Sequence, residues 1–318
     1  ESDNLYENLP KILTQNYPAP FEVVVVNNQS IDDSKYLLEA LQRQHPHLAI
    51  MEIERNRHLP ASKKFPLSMG IKKAKYEHLL LTDADCSPAS DLWLQKMANC
   101  FTEKKQLVLG YGPYKKTAGF LNKVIRFDTT LIAVHYFSMA LNRLPYMGVG
   151  RNLAYTKTVF NSTQGFKSHY SLLSGDDDLF IQEAAKNKNY TIQIDPQSFQ
   201  FSDAKNTWGE FLTQKGRHYT TAPKYKVIKK ALLGIYPMSL ILMLISFVLL
   251  VIQTGWWIHA CVGLGFILLL KWWLLGACFH KLKATKFIWL LPFSEIVYVI
   301  IQPFFYYTAL QKNTTRWK

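Results

Sequence analysis

The sequence predicts an α/β domain with a mostly parallel sheet, followed by a helical membrane region. Short runs rich in β-branched residues alternate with helical patterns along the first part of the chain, which is typical of a sheet covered by helices. From residue 231 to residue 270 the chain has no Asp, Glu, Lys or Arg. Since one membrane span takes about 20 apolar residues, this uncharged run predicts two spans joined by a tight turn.

The α/β pattern can be followed from residue 1 to residue 194. Residues 1–16 have the spacing of an amphipathic helix, and Phe21 to Asn28 form a β-branched run, as in a buried parallel strand. Further helices are predicted over 32–44, 67–75, 91–101, 119–142 and 174–187, and further strands over 48–53, 78–82, 107–111 and 190–194. Because a helix comes first, we expect a strand of the sheet to precede residue 1.

The charge distribution divides the rest of the chain. The formal net charge is +14, and the basic excess is densest over 205–230, just ahead of the first span. Basic residues beside a span favour the cytoplasmic side and anionic lipid. We therefore predict a globular domain over 1–204, a basic amphipathic interfacial segment over 205–230 and a transmembrane region over 231–318. That region has spans over 232–253 and 256–278, and a third candidate over 287–310, giving two or three helices.

Nucleic-acid binding and a structural role for the cysteines are both disfavoured. A charge of +14 would also suit a nucleic-acid-binding protein, but the basic cluster adjoins a membrane span and no nucleic-acid motif accompanies it. The four cysteines, Cys86, Cys100, Cys261 and Cys278, contain no Cys-x-x-Cys pair. Neither a disulfide framework nor a zinc site is indicated, and a reducing compartment is expected.

A pair of carboxylates follows the third predicted strand. Asp83 and Asp85 are two residues apart at the carboxyl end of this strand, the edge at which open α/β sheets bind ligands. Hard oxygen ligands at this spacing suit Mg²⁺ or Mn²⁺ bound to a diphosphate. The other interpretation is an Asp that only caps a helix, and the position after a buried strand favours the metal site.

Three consecutive carboxylates, Asp176, Asp177 and Asp178, open a later helix. Acids in a first helical turn commonly stabilise the helix, which is the structural interpretation. Three adjacent carboxylates also repel one another, and this raises the pKa of at least one of them. A carboxylate with a raised pKa can act as a general base.

Two further segments combine polar or basic residues with a defined position. Gln214 and Arg217 lie in the basic segment before the first span, where they either form a solvated surface or offset charge on a leaving diphosphate. Asn27, Asn28 and Asp32 follow the first strand. They either make a turn, with Asp32 as helix cap, or bind the base and ribose of a nucleotide.

Together these segments resemble the processive and lipid-linked family 2 glycosyltransferases, which have the Rossmann-like GT-A fold. The resemblance covers most of residues 1–220 and the membrane region. Its motifs here are Asn27-Asn28-Gln29-Ser30-Ile31-Asp32, Lys63, Thr82-Asp83-Ala84-Asp85, Gly148-Val149-Gly150-Arg151-Asn152, Gly175-Asp176-Asp177 and Gln214-x-x-Arg217-His218. Asn27 and Asn28 stand where the family has Asp, and His218 stands where it has Trp.

The resemblance implies a function and a set of site residues. It implies inverting, metal-dependent transfer of a sugar from a nucleotide sugar, expected to be a UDP-sugar, to a lipid-linked or polysaccharide acceptor. The nucleotide-sugar-binding residues would be Asn27, Asn28, Asp32, Lys63, Asp83, Gly150 and Asn152; Asp83 and Asp85 would bind Mg²⁺ or Mn²⁺; and Asp177, Asp176, Gln214 and Arg217 would be catalytic, with Asp177 as the base.

Two alternatives stay open at this point. A membrane nucleotidyltransferase would use the same carboxylates, although the chain has no GxxxxGK loop for a triphosphate. A catalytically degenerate scaffold or subunit of a glycan-assembly complex would fit the replacements at Asn27, Asn28 and His218. For either role we expect an integral membrane protein of a bacterial inner membrane, involved with a cell envelope glycan, with its large domain in the cytoplasm.

Overall fold

The computed structural model describes residues 2–54, 62–253 and 255–311, and it consists of an α/β domain and three long apolar helices. The predicted α/β class with a helical C-terminal region is therefore confirmed. The helices of the α/β part are α1 Ser2–Leu13, α2 Ser34–Gln44, α3 Lys64–Lys73, α4 Trp93–Ala98, α5 Phe120–Leu141, α6 Lys157–Ser162, α7 Asp178–Ala184 and α8 Trp208–Tyr219. The strands are β1 Val23–Asn28, β2 Leu48–Ile53, β3 His78–Leu81, β4 Cys86–Pro88, β5 Leu107–Leu109, β6 Leu153–Thr156, β7 Tyr190–Ile192 and β8 Gln200–Ser202.

The strand pairing is more mixed than the predicted mostly parallel sheet. β1 pairs with β2 and β5 with β7 in parallel, whereas β3–β6, β5–β6 and β4–β8 are antiparallel. The order in the four-stranded sheet is β3-β6-β5-β7. β6 was not predicted as a strand because it is only four residues long and buried on both faces, so it shows no alternation.

A gap separates β1 from β3. Within the described residues each of these strands has one paired edge, β1 with β2 and β3 with β6, and both line the same large cavity along their lengths. α3 covers β1 closely, because a Cβ on Gly70 would lie 2.8 Å from Val26 Cγ2. The strand expected ahead of residue 1 stays a prediction.

One hydrophobic core joins the α/β domain to the long helices. The helices are α9 Val227–Ile252, α10 Trp257–Lys281 and α11 Leu291–Gln311, the last preceded by a 3₁₀ segment, Thr285–Leu290. The ring of Phe127 on α5 lies 5.7 Å from Phe279, 5.9 Å from Phe287 and 5.8 Å from Tyr298. α5 therefore packs against both α10 and α11 through aromatic side chains.

Three helices are long and apolar enough to cross a membrane: Val227–Ile252, Trp257–Lys281 and Thr285–Ala309. Their exposed surfaces are apolar, as expected for helices that face lipid. Lys271 on α10 forms an ion pair with the buried Glu295 on α11 at 2.8 Å. Thr254, in the predicted turn, and the basic residues of 312–318 lie outside the described residues.

The segment predicted to lie at the membrane surface forms α8 and a 3₁₀ turn, Ala222–Lys224. α8 begins with a capping box, in which Thr207 Oγ1 accepts from the Glu210 N–H and the Glu210 carboxylate accepts from the Thr207 N–H. Its buried face packs against α5 and α11, with the ring of Phe211 6.0 Å from Phe305. The first long helix begins at Val227, so the last four residues of the predicted segment belong to α9.

Candidate active site

Asp83 follows β3 and meets the side chain of Lys63, which precedes α3. Lys63 Nζ donates to Asp83 Oδ1 and lies 3.9 Å from Asp176 Oδ2. Burial raises the pKa of Asp83, but Lys63, with Arg151 and Arg217 further away, outweighs burial and lowers it. Burial lowers the pKa of Lys63, but the neighbouring carboxylates raise it by more than burial lowers it. The Lys63 ammonium and the Asp83 carboxylate therefore both stay charged. Lys63 thus joins the two acidic clusters that the sequence placed far apart.

Asp85 lies beside Asp83 with Cys86 as its neighbour. Cys86 Sγ donates to Asp85 Oδ1 at 3.3 Å, and ligand atoms of Asp83, Asp85 and Cys86 all lie within 4.8 Å of one another. Burial and the Asp83 charge raise the pKa of Asp85, and burial raises the pKa of the Cys86 thiol. The two carboxylates can offer hard oxygen ligands to Mg²⁺ or Mn²⁺, whereas a protonated thiol is not a ligand for either ion. The predicted metal residues fit a divalent cation.

The three consecutive aspartates have different surroundings. Asp176 is 8% exposed and faces Lys63, and Asp178 is 6% exposed. Tyr225 donates to Asp178 Oδ2 at 2.6 Å, and Thr221 Oγ1 donates to the same oxygen. All three line the cavity, and the middle one, Asp177, is the one that is partly exposed. The flanking aspartates are therefore held by other groups, while Asp177 faces the space where a substrate would bind.

Asp177 is also the aspartate best tuned to act as a base. Its Oδ2 accepts from the Gly150 N–H at 3.1 Å and its Oδ1 from the Asp178 N–H at 2.8 Å. Burial, Asp176 and Asp178 raise the pKa of Asp177 to about 7, against the smaller lowering effect of the two N–H groups. The pKa of Asp178 is raised too, mainly by burial, so the expected rise is found at two of the three aspartates, and Asp177 is the one whose pKa reaches about 7.

Lys64 fixes the loop before the three aspartates, and sequence reasoning missed it. It is fully buried, and its Nζ donates to the carbonyl oxygens of Leu172 and Ser174 at 2.6 and 2.5 Å. The only signal was its position next to Lys63. A lysine inside a fold must satisfy its donors, and here it does so by holding the backbone two residues ahead of Asp176.

The predicted glycine segment separates into residues with different surroundings. Gly150 lines the cavity and donates to Asp177. Asn152 is fully buried: its Nδ2 donates to the carbonyl oxygens of Tyr111 and Ser198, and its Oδ1 accepts from Trp93 Nε1. With every amide group engaged, Asn152 supports the strands below the site and is not placed to contact a ligand. Its predicted sugar-binding role does not agree with this position.

Arg151, which the prediction did not select, lies in the cavity wall. Its guanidinium donates to the carbonyl oxygen of Gly112 and lies 4.6 Å from the centre of the Tyr114 ring. A Cβ on Gly112 would lie 2.4 Å from Arg151 Nε, so glycine is needed for this approach. The charge of Arg151 reaches Asp83 and Asp85. Its guanidinium thus adds positive charge where a diphosphate would bind.

α8 brings Gln214 and Arg217 to the same cavity. Gln214 Nε2 donates to the Tyr114 hydroxyl at 3.2 Å. Burial lowers the pKa of Arg217, and the carboxylates of Asp176, Asp177 and Asp83 partly oppose this. Burial and the neighbouring cations lower the pKa of His218 to about 3, so its imidazole is neutral. Arg217 is therefore close enough to interact with the aspartates, Gln214 lines the same cavity, and the neighbouring His218 adds no charge.

The predicted nucleotide loop is only partly in the site. Asn27 and Asn28 line the cavity, and Asn27 Nδ2 donates to the Glu52 carboxylate across the β1–β2 pair at 2.9 Å. Asp32 accepts from the N–H groups of Ser34 and Ser2 at 3.1 and 3.0 Å. It therefore holds the starts of α1 and α2, the turn interpretation, and its role in nucleotide binding stays a prediction.

One cavity of about 1640 Å³ connects these groups to the long apolar helices. Its polar end contains Asp83, Asp85, Asp177, Arg151 and Arg217. Its other end is lined by Ile132 and His135 of α5, by Leu233, Tyr236 and Pro237 of α9, and by Tyr298, Val299 and Gln302 of α11. The site therefore has a charged part at the sheet edge and an amphipathic part between helices.

Comparison with solved structures shows the fold. A mannosyltransferase, PcManGT from Pyrobaculum calidifontis, in complex with GDP-Man and Mn²⁺, superimposes with a TM-score of 0.55 at 16% sequence identity, covering 94% of this chain and 84% of that one. TarS from S. aureus gives a TM-score of 0.48 at 20% identity, covering 68% of this chain and 61% of that one. A search of curated proteins gave no significant match.

The family assignment comes from the sequence. A family model for glycosyl transferase family 21 matches residues 2–318, nearly the whole chain. The motifs suggested the broader class correctly, and the family shown is 21, not specifically family 2. The chain belongs to glycosyl transferase family 21.

Proposed function

We propose that this protein is an inverting, metal-dependent glycosyltransferase of the membrane that transfers a sugar from a nucleotide sugar to the hydroxyl group of a lipid acceptor. Asp83 and Asp85 would hold Mg²⁺ or Mn²⁺, and Asp177 is the proposed catalytic base. The observation that carries the proposal is the single cavity that joins Asp177 to α9 and α11. A water-soluble acceptor would not need a site open to these helices.

The proposed reaction is one displacement at the anomeric carbon. A divalent ion on Asp83 and Asp85 would neutralise negative charge on the departing nucleoside diphosphate. Asp177 takes the proton of the acceptor hydroxyl as its oxygen forms a bond to the anomeric carbon. The bond from that carbon to the diphosphate oxygen breaks, and attack from the opposite face inverts the centre. Arg151 and Arg217 offset charge on the leaving group, and Gln214, held by Tyr114, orients the bound molecules.

The acceptor end of the cavity contains polar groups suited to a lipid with a polar head. His135 Nε2 and the Tyr236 hydroxyl are buried and have no hydrogen-bond partner within the described residues. The two rings lie 4.7 Å apart. Burial lowers the pKa of His135 to about 4, so its imidazole is neutral and can hydrogen-bond without adding charge. These groups support an acceptor that enters from the lipid side and directs its hydroxyl toward Asp177.

The donor is proposed as a UDP-sugar, with a GDP-sugar as the second candidate because the similar mannosyltransferase holds GDP-Man. The bacterial inner membrane and a cytoplasmic catalytic domain are proposed for location. The support is the concentration of basic residues at the start of α9 and between α10 and α11, which the positive-inside rule places in the cytoplasm.

Donor turnover tests the proposed activity. Membranes with the protein are given UDP- and GDP-sugars in turn, with Mn²⁺, Mg²⁺ or EDTA, and nucleoside diphosphate release is followed. We expect metal-dependent release from one donor, lost in Asp85→Ala and in Asp177→Asn. Asp33→Asn is the matched control, because this exposed aspartate makes no side-chain cap hydrogen bond and lies outside the cavity. Absence of release from every donor, with lipid extract present, would favour the scaffold alternative.

A further inference from the structure

Three cations from three separate parts of the chain converge at the membrane border. Lys116 precedes α5, Arg126 is on α5, and Lys286 is in the 3₁₀ segment between α10 and α11. The side chains of Lys116 and Lys286 lie side by side, with Arg126 close enough to repel Lys116. The Arg126 guanidinium is held 5.4 Å from the centre of the Phe287 ring. We call these three residues the basic cluster.

The basic cluster has no internal counter-charge. Within the described residues no carboxylate forms an ion pair with Lys116, Arg126 or Lys286, whereas the adjacent Lys115 pairs with Asp203 at 3.1 Å and Glu7 at 3.5 Å. The contact with Lys286 lowers the pKa of Lys116, and burial lowers the pKa of Arg126. Like charges in contact repel, so an anion placed between them would be stabilised by all three.

The position of the basic cluster identifies the source of that anion. Lys286 lies at the start of the third candidate span, on the side of the membrane where α9 begins and α10 ends. Two exposed aromatic side chains follow the cluster lysines closely in the chain: Trp289, three residues after Lys286, is 78% exposed, and Phe120, four residues after Lys116, is 72% exposed. Aromatic rings beside lysines at a helix end are typical of the interface between lipid headgroups and acyl chains. A free phosphate ion has no apolar part that could pack against these rings.

We propose that the basic cluster binds the phosphate group of an anionic membrane lipid, with Phe120 and Trp289 against its acyl chains. The guanidinium of Arg126 can donate two parallel hydrogen bonds to phosphate oxygens, and the lysines supply two further charges. Such a lipid would join the loop before α5 to the segment between α10 and α11. The inference rests on the membrane spans and is independent of the proposed catalytic activity.

The test uses the full chain in nanodiscs of phosphatidylcholine to which phosphatidylglycerol is added in steps. A ligand that binds the folded state raises the unfolding temperature. We expect phosphatidylglycerol to raise it for the wild type but not for Lys116→Gln/Lys286→Gln, because each lysine is worth roughly fivefold in binding to an anionic lipid surface. Arg126→Gln, which changes a different element, should show the same loss.

The matched control is Lys281→Gln/Lys283→Gln, which removes two exposed charges from the same end of the membrane region outside the basic cluster. It should keep the response of the wild type. An equal loss in both double variants would show that only general surface charge matters, and an unchanged response in Lys116→Gln/Lys286→Gln would show that the cluster binds no lipid; either overturns the proposal. Stabilisation by inorganic phosphate alone, in discs without phosphatidylglycerol, would also overturn it, since the ligand would then be soluble.

Discussion

At the scale of single residues, the surroundings of the three aspartates favour Asp177 as the proposed base. Asp176 faces Lys63 and Asp178 accepts from Tyr225 and Thr221, so the charges of both flanking groups are partly compensated. Asp177 lines the cavity and has a pKa raised to about 7 by burial and by its two neighbours. A base whose pKa lies near the working pH is suited to general base catalysis.

The raised pKa of Asp177 predicts the pH dependence of the reaction. The base must be ionised, so kcat/KM should fall as the pH drops below about 7, by roughly tenfold for each pH unit. Asp176→Asn removes a charge that raises this pKa, so the acid limb should move to lower pH. The measurement is the pH profile of kcat/KM for the donor in wild type and variant. A limb at the same pH in both would contradict the electrostatic explanation.

Lys64 predicts a structural effect that reaches the site. Lys64→Met leaves the carbonyl oxygens of Leu172 and Ser174 without their donor, which we expect to lower the free energy of unfolding by roughly 1–3 kcal/mol and to reduce kcat. Lys72→Met on the exposed side of the same helix is the control and should change neither quantity by much. Thermal unfolding and donor turnover of both variants test this, and equal behaviour of the two would contradict it.

Much of the candidate site could be predicted at this scale, but not all. Asp83, Asp85, Asp177, Gln214 and Arg217, which line one cavity, were selected because polar and charged residues at strand ends and helix starts stand out from an apolar background. The sequence could not show that Asn152 supports the strands below the site. An asparagine whose amide groups are all hydrogen-bonded inside the protein looks the same in a sequence as one that contacts a ligand. Arg151 and Lys64 were missed because only the folded chain shows what their side chains reach.

At the scale of secondary structure elements, a buried carboxylate joins α8, which carries Gln214 and Arg217, to the third long helix. Lys215 Nζ lies 2.5 Å from Asp128 Oδ2, and Tyr298 of α11 donates to Asp128 Oδ1. Asp128 and Lys215 are 3% and 8% exposed. Lys215 adjoins Gln214 in the chain, so this network fixes the rotation of α8 and hence the direction of Gln214 and Arg217.

This network predicts that a change in a membrane helix alters the reaction. In Tyr298→Phe the loss of one hydrogen bond to a charged group should destabilise the protein by roughly 1.5–3 kcal/mol. It should also lower kcat by about tenfold or more, because small misplacements of catalytic groups are costly. The control is Glu295→Gln, which weakens the ion pair between α10 and α11 without contacting α8.

Unfolding temperature and donor kinetics of the two variants separate the effects. Both should be less stable, and Tyr298→Phe alone should lose kcat. A similar fall of kcat in Glu295→Gln would show that general loosening of the membrane helices, and not the position of α8, controls the rate.

The sequence predicted most elements within a few residues, and the strands and the helix that it missed are short. β4, β6, β8 and α6 are between three and six residues long. A strand of four residues is too short to show a clear alternation of apolar and polar residues. Its direction and its partner strands are therefore set by tertiary packing and are not visible in the sequence. The long helices α5, α9 and α10 were predicted well because their apolar patterns extend over many turns.

At the scale of the whole molecule, the α/β domain and the membrane helices form one unit. Phe127 contacts two aromatic residues of the third candidate span, Phe287 and Tyr298, and the cavity continues from the sheet edge to α9 and α11. The long apolar helices therefore contribute walls of the candidate site. This arrangement supports the proposal that the acceptor is a lipid hydroxyl.

The three candidate spans predict a topology. With the α/β domain in the cytoplasm, Gln253 at the end of α9 should lie on the opposite side, and Lys281 should return to the cytoplasmic side. A reporter active only outside the cytoplasm, fused after Gln253, should be active, and one fused after Lys281 should be inactive. The reverse pattern would contradict the proposed orientation, and activity at both positions would contradict the second span.

The central claim is that Asp177 removes the proton from a lipid hydroxyl so that the sugar is transferred to it. The most direct measurement gives the protein in native-lipid nanodiscs the donor with a radiolabelled sugar and counts the label in the organic-extractable fraction. We predict label in lipid for the wild type and for Asp33→Asn, and a loss of it in Asp177→Asn. Label that stays in the aqueous phase, or an Asp177→Asn variant that labels lipid at the rate of the wild type, would contradict the account.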